Sequence, residues 1–188
     1  MFDRDQFIAD LRAALAERSR KAMADIVARA VSDPASIVRE LGEPDKAGVQ
    51  ILHQTPELTV LTLAWAPKHF TPPHDHRMTA VIGMYSGRED NMFWRRLPDV
   101  QKFQIEPAGG EALGTGKVTL LGRDIVHSVV NPLDKISAAI HVYDGNLFAA
   151  RRSMWDAETL VEKPYDLDTV TKGMPVLKRG QEASEPTR

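Results

Sequence analysis

One change of rhythm constrains this chain more than any other feature. Up to about residue 42 apolar residues recur at helical spacing; from about residue 48 they gather into short runs cut by proline and glycine. The runs 49–54, 58–66, 77–86, 91–97, 101–106, 116–121, 124–131 and 136–144 read as strands, with a further one at 146–152. Between them lie Thr55-Pro56-Glu57, Pro72-Pro73, Ser86-Gly87, Leu97-Pro98-Asp99, Ala108-Gly109-Gly110, Gly122, Asn131-Pro132 and Asp144-Gly145, all turn chemistry. Short, evenly spaced strands of this number predict an all-β core, a β-sandwich or jelly-roll barrel, with the helices packed outside. The chain divides into a helical segment (1–46), a barrel (47–163) and a C-terminal extension (164–188) that turns polar and carries no assigned role.

The leading segment carries its own punctuation. Asp3 with Gln6 makes a capping box ahead of Phe7, Leu11, Ala14 and Leu15. Met23, Ile26, Val27, Ala30 and Val31 form a second stripe, and Asp33-Pro34 opens a third helix that Gly42 ends. With 24 Lys and Arg against 26 Asp and Glu, no global basic field attracts nucleic acid or an anionic membrane. The start lacks a signal-peptide pattern and no apolar run approaches about 20 residues, so the expected location is the cytoplasm. Oligomeric state leaves no mark in the sequence.

With no cysteine in 188 residues, disulfides, thiolate zinc sites, iron–sulfur clusters and cysteine nucleophiles are excluded. Any metal site must be built from histidine and carboxylate. Pro73-His74-Asp75-His76 supplies two imidazoles that, in extended chain, face the same way. His127 lies in a later segment of strong β character, Asp124-Ile-Val-His-Ser-Val-Val130. Two ligands from one strand and a third from a distant strand would make a facial metal site with open positions.

These residues resemble the cupin superfamily, whose first motif is His-x-His, a Glu and a strand-ending Gly, and whose second supplies another His. His74, His76, Gly87 and His127 match; where the Glu is expected stand Ala80 and Val81, and Glu89 falls beyond the turn. A three-His cupin site is similar to that of the thiol dioxygenases, the cysteine dioxygenase-like family. The stretch from Leu63-Ala-Trp65 to His74-Asp-His76 resembles that family too, as does His141-Val-Tyr143, the end of its Ser-x-His-x-Tyr triad. The resemblance covers roughly residues 49 to 155. It implies a double-stranded β-helix with His74, His76 and His127 on Fe(II) (Ni, Zn, Cu or Co suit the same donors) and dioxygen as co-substrate. It further implies Tyr143 and His141 as catalytic residues, and a small thiol such as cysteine or 3-mercaptopropionate oxidised to a sulfinic acid.

The departures matter as well. Ala139 replaces the triad Ser, and without Cys there is no Cys–Tyr cross-link, as in bacterial mercaptopropionate dioxygenases. Those enzymes bind the substrate carboxylate through an Arg after the Tyr, which implies Arg152 or Arg151 here. Two other readings keep the cupin: a metal-dependent oxygenase of a carbon substrate, and a non-catalytic cupin that binds a small molecule. A purely structural metal would instead need its coordination closed by protein.

Overall fold

The computed structural model describes residues 1–97, 104–171, 174 and 176–178. The turn at Pro98-Asp99, the start of the 101–106 run and the tail 181–188 lie outside them. Each leading helix begins where a side-chain oxygen takes up a free amide. Asp3 accepts from the Gln6 amide at 2.8 Å to open α1 (Arg4–Ala16), and Ser19 from Ala22 at 3.1 Å to open α2 (Arg20–Val31). Asp33, with Pro34 behind it, accepts from Ser36 and opens α3 (Pro34–Leu41), which Gly42 ends at φ +92°. No helix of the described residues is long and apolar enough to cross a membrane.

Two six-stranded sheets follow. The first runs β12 (Val176–Lys178), β1 (Gly48–Gln54), β2 (Thr59–Trp65), β9 (Ser137–Tyr143), β4 (Ala80–Ser86), β7 (Val118–Leu121). The second runs β11 (Glu162–Pro164), β10 (Ser153–Trp155), β3 (Phe70–Asp75), β8 (Val126–Val130), β5 (Arg88–Arg96), β6 (Ile105–Gly114). The order β2-β9-β4-β7 against β3-β8-β5-β6 is a jelly roll, so the all-β core is a double-stranded β-helix with N-terminal helices.

The first sheet is covered on both faces. Val60, Val81, Ala138, Ile140 and Val142 meet Phe7, Leu11, Val27 and Val31 of the helices, while Leu61, Ile82, Met84, Ala139 and Tyr143 face the barrel interior. Burial on both sides explains why β2 and β9 are buried at every residue and read as unbroken apolar runs. It also sorts β9 by parity: Ala138, Ile140 and Val142 pack outward, and His141 and Tyr143 are left to the interior.

Three expectations are corrected. The 77–86 run begins as a strand only at Ala80, and His74 belongs to a separate strand, β3, which contains Pro72-Pro73. The prolines are tolerated because the β3–β8 register shifts between Thr71 and His74, where no ladder amide is needed. Ala108-Gly109-Gly110 lies inside β6, beside a register shift at Phe93 and Trp94, with Gly109 at φ +130°. The 146–152 segment forms turns capped by the Asn146 side chain, which accepts from the Phe148 and Ala149 amides.

Candidate metal centre

His74 and His127 sit opposite one another in the β3–β8 ladder, and His76 follows at the end of β3. All three are buried, and their donor nitrogens lie within 4.8 Å of one another. The hydrogen bonds around two rings fix where the protons are. His74 Nδ1 lies 3.0 Å from the Pro72 carbonyl, which only accepts, so Nδ1 carries the proton and Nε2 a lone pair. His127 Nδ1 is 2.7 Å from the Asn91 side-chain oxygen, with the same consequence. His127 Nε2 and His76 Nε2 stand 3.4 Å apart. Two nitrogens about 2.1 Å from one tetrahedral cation are separated by about 3.4 Å, so the donors present fit a single metal ion.

Burial lowers the pKa of every ring in the group. His74 falls to about 4, with desolvation outweighing its bond to Pro72. His76 and His127 drop well below 6.5, from burial first and then from the neighbouring imidazoles. The rings are therefore neutral at pH 7, the form that ligates. Asp75, between two of them, points the other way: its buried carboxylate accepts from the Ser153 amide at 2.9 Å and pairs with Arg77 at 2.7 Å and Arg96 at 2.5 Å. That pins the strand end from which the histidines project.

The ring of His127 is supported by residues whose role the sequence does not announce. Asn91 donates its amide to Glu89 at 3.1 Å, and Glu89 accepts from the Trp65 indole at 3.0 Å. Glu89 has no exposed surface, and burial raises its pKa against those two hydrogen bonds. It is not one of the groups that converge on the cluster, and its two oxygens are turned to Trp65 and Asn91. Ala80 and Val81, at the Glu positions of the cupin motif, are core residues with no exposed surface. Strand parity was the one signal available: Glu89 and Asn91 share a face of β5, but both faces of that strand are polar and the pattern is silent.

A cavity of about 50 Å³ opens on the three imidazoles. Val49, Leu61, Leu63, Val129, Leu147 and Phe148 give it apolar walls, and His141, Tyr143 and Arg152 bring polar groups to it. His141 Nδ1 lies 3.0 Å from the Tyr143 hydroxyl, while His141 Nε2 is buried without a hydrogen-bond partner. Burial takes His141 down to about 3 and pushes the Tyr143 phenol up. The Arg152 guanidinium stacks on Tyr165 at 3.6 Å, its Nε buried and unpartnered, and Tyr165 in turn meets the edge of His74 at 5.8 Å. Arg151 is exposed and belongs to an outer groove rather than to this cavity.

The structure thus brings His74, His76, His127, His141, Tyr143 and Arg152 around one space and leaves Arg151 outside it. Of the other histidines, His69 stacks on Trp65 at 4.9 Å with Nε2 3.1 Å from the Val170 carbonyl, and half-buried His53 does not line the cavity. The C-terminal extension contributes more than its composition indicates: Tyr165, Leu167, Val170 and Thr171, the last three from α4 (Leu167–Thr171), close one side.

No family model matches the chain. Among solved structures it is similar to the DMSP lyase DddQ from Ruegeria pomeroyi DSS-3, at 14% identity and TM-score 0.43 over 55% of this chain and 46% of that one. It is similar to oxalate decarboxylase from Bacillus subtilis, at 16% identity and TM-score 0.40 over 50% of this chain and 22% of that one. A conserved protein with a double-stranded beta-helix domain from Klebsiella pneumoniae subsp. pneumoniae MGH 78578 is 14% identical, with TM-score 0.44 over 62% of this chain and 87% of that one. The matched region therefore spans less than half the length of the lyase and the decarboxylase.

Proposed function

We propose that this chain is an iron-dependent dioxygenase that converts a small thiol bearing a carboxylate into a sulfinic acid, RSH + O2 giving RSO2H. The observation that carries the reading is the pairing of three converging neutral imidazoles with an Arg152 that makes no ion pair among the described residues. His74, His76 and His127 would hold Fe(II) through Nε2, and bound there it would supply the redox chemistry and the binding of thiolate and dioxygen. Three neutral donors leave the ion its full +2, and Arg152 adds a further positive charge beside it. That field favours a dianion, one negative charge on sulfur and one on a carboxylate.

The chain's own residues do the rest. Arg152 offers a planar fork to two carboxylate oxygens, and the Tyr165 ring holds that fork from below. His141 Nδ1 and the Tyr143 hydroxyl share a hydrogen bond at 3.0 Å; with the proton of His141 on Nδ1, the Tyr143 hydroxyl proton would be left to donate into the cavity. The high Tyr143 pKa keeps that proton on oxygen at neutral pH. The apolar walls and α4 exclude water, and the cavity, with room for about four water-sized groups, limits the carbon chain to a few atoms.

The test is oxygen uptake by protein loaded anaerobically with Fe(II). 3-Mercaptopropionate or cysteine should be turned over to the sulfinate, and cysteamine, which has no carboxylate, should be a much poorer substrate. Silence across these thiols, with iron confirmed in the protein, overturns the thiol reading and leaves a carbon-substrate oxygenase or a binding cupin to be tried.

A further inference from the structure

Glu89 takes no part in the proposed reaction, yet it is a fully buried carboxylate with no ion pair among the described residues. Burying such a group is costly unless its oxygens are hydrogen-bonded, and both are: Oε2 accepts from the Trp65 indole at 3.0 Å and Oε1 from the Asn91 side chain at 3.1 Å. The orientation of every group in this chain is set by which atoms can donate. In its ionised form Glu89 only accepts, so the Asn91 atom facing it at 3.1 Å is then the amide nitrogen. The Asn91 atom facing His127, 2.7 Å from Nδ1, is then the oxygen. Oxygen accepts, so the His127 proton sits on Nδ1 and the lone pair on Nε2, the atom 3.4 Å from His76 Nε2.

We propose that Glu89 is a positioning residue for the metal centre: acting through Asn91, it sets the tautomer of His127 so that an unprotonated Nε2 faces the cation. The proposal rests on the metal-site reading but not on the thiol substrate. An asparagine alone has no such preference, because a half-turn of its amide presents NH2 where oxygen was. Glu89 removes that freedom, and Trp65, a donor only, removes the freedom of Glu89's second oxygen.

Glu89→Gln is the decisive change, since it keeps the shape and deletes one acceptor. The oxygen of the introduced glutamine must serve the Trp65 indole, so its NH2 faces Asn91; Asn91 turns its oxygen toward that NH2 and its own NH2 toward His127. Nδ1 then accepts, and the proton moves to Nε2. In the full-length metal-free chain with 15N-labelled histidine, NMR should show His127 protonated on Nδ1 in the wild type and on Nε2 in E89Q. Zn(II) affinity should fall about 10- to 100-fold, the usual cost of disturbing a ligand's hydrogen-bond partner.

Adding Asn91→Asp to E89Q reverses the effect. The introduced glutamine then accepts from Trp65 and donates to the introduced aspartate. That aspartate accepts from His127 Nδ1, so both the tautomer and the Zn(II) affinity should return. An unchanged tautomer in E89Q with affinity within about twofold of wild type overturns the proposal. So does a loss that E89Q/N91D fails to restore, because that is general damage rather than control of a proton. If the tautomer switches and returns as stated but the wild type binds no divalent ion, the positioning by Glu89 stands and the metal-site reading falls.

Discussion

Two adjacent arginines with the same side chain meet opposite fates, because strand β10 begins between turn and sheet just after them. Both line the outer groove, but only Arg152 also reaches the inner cavity, over Tyr165 and beside His74. If Arg152 binds a substrate carboxylate, Arg152→Gln removes a charge-assisted pair of hydrogen bonds, about 1.5–3 kcal/mol, or on the order of 10- to 150-fold in kcat/KM. Arg151→Ala should change it by no more than about twofold, as exposed side chains generally do. Oxygen-uptake kinetics with 3-mercaptopropionate check both, and equal losses at the two positions would reject the inward role of Arg152. The histidines were readable because their chemistry is local: two residues apart on an extended chain share a face, and so do His141 and Tyr143. Asn91 and Glu89 were not, because nothing in a strand polar on both faces says which polar side is indoors.

The same contrast runs through the elements. The helices were legible from capping chemistry, and β2, β4 and β9 from continuous apolar runs. β3 was obscured by Pro72-Pro73, which reads as a break unless a register shift at that point of the ladder excuses the missing amides. β10 and β11 are three residues each, too short to show a period, and they are recognisable only by what they pair with: Met154 opposite His74, and Ser153 opposite Pro164. One tight contact ties the helical layer to the sheet. A Cβ on Gly83 of β4 would stand 2.5 Å from Val27 Cγ1 and 2.9 Å from Val31 Cγ1, so α2 lies directly on bare backbone. Gly83→Ala should therefore destabilise by about 1–3 kcal/mol through overpacking. In a chain of this size each kcal/mol lowers Tm by about 2–4 °C, which calorimetry resolves. A Gly83→Ala protein as stable as wild type would mean that α2 can lift off the sheet freely.

For the whole molecule, concentrating uncharged imidazoles in one dry space ties folding to pH. In the unfolded chain His74, His76, His127 and His141 each titrate near 6.5; folded, His74 is at about 4, His141 at about 3 and the other two well below 6.5. Above pH 6.5 neither state takes up protons at these rings, and their contribution is fully present. As pH falls below 6.5 the unfolded chain binds protons that the folded chain refuses, and stability is lost until the folded pKa values are reached. Each ring costs up to about 1.4 kcal/mol per pH unit, so four together approach roughly 5 kcal/mol per unit. Asp75 and Glu89, whose pKa values burial raises, pull the other way, because as pH falls the folded chain takes up their protons before the unfolded chain does. Metal-free protein should therefore lose stability steadily as pH falls from 6.5 toward 4, where His74 begins to take up its proton in the folded chain. Urea titrations at intervals from pH 7.5 to 4 measure the slope directly. His141→Gln, which removes one of the four titrating rings without touching a metal ligand, should flatten it by about a quarter. A stability that stays level from pH 7.5 to 5 would mean that these rings take up protons in the folded state, and so are not held dry and neutral around the cavity.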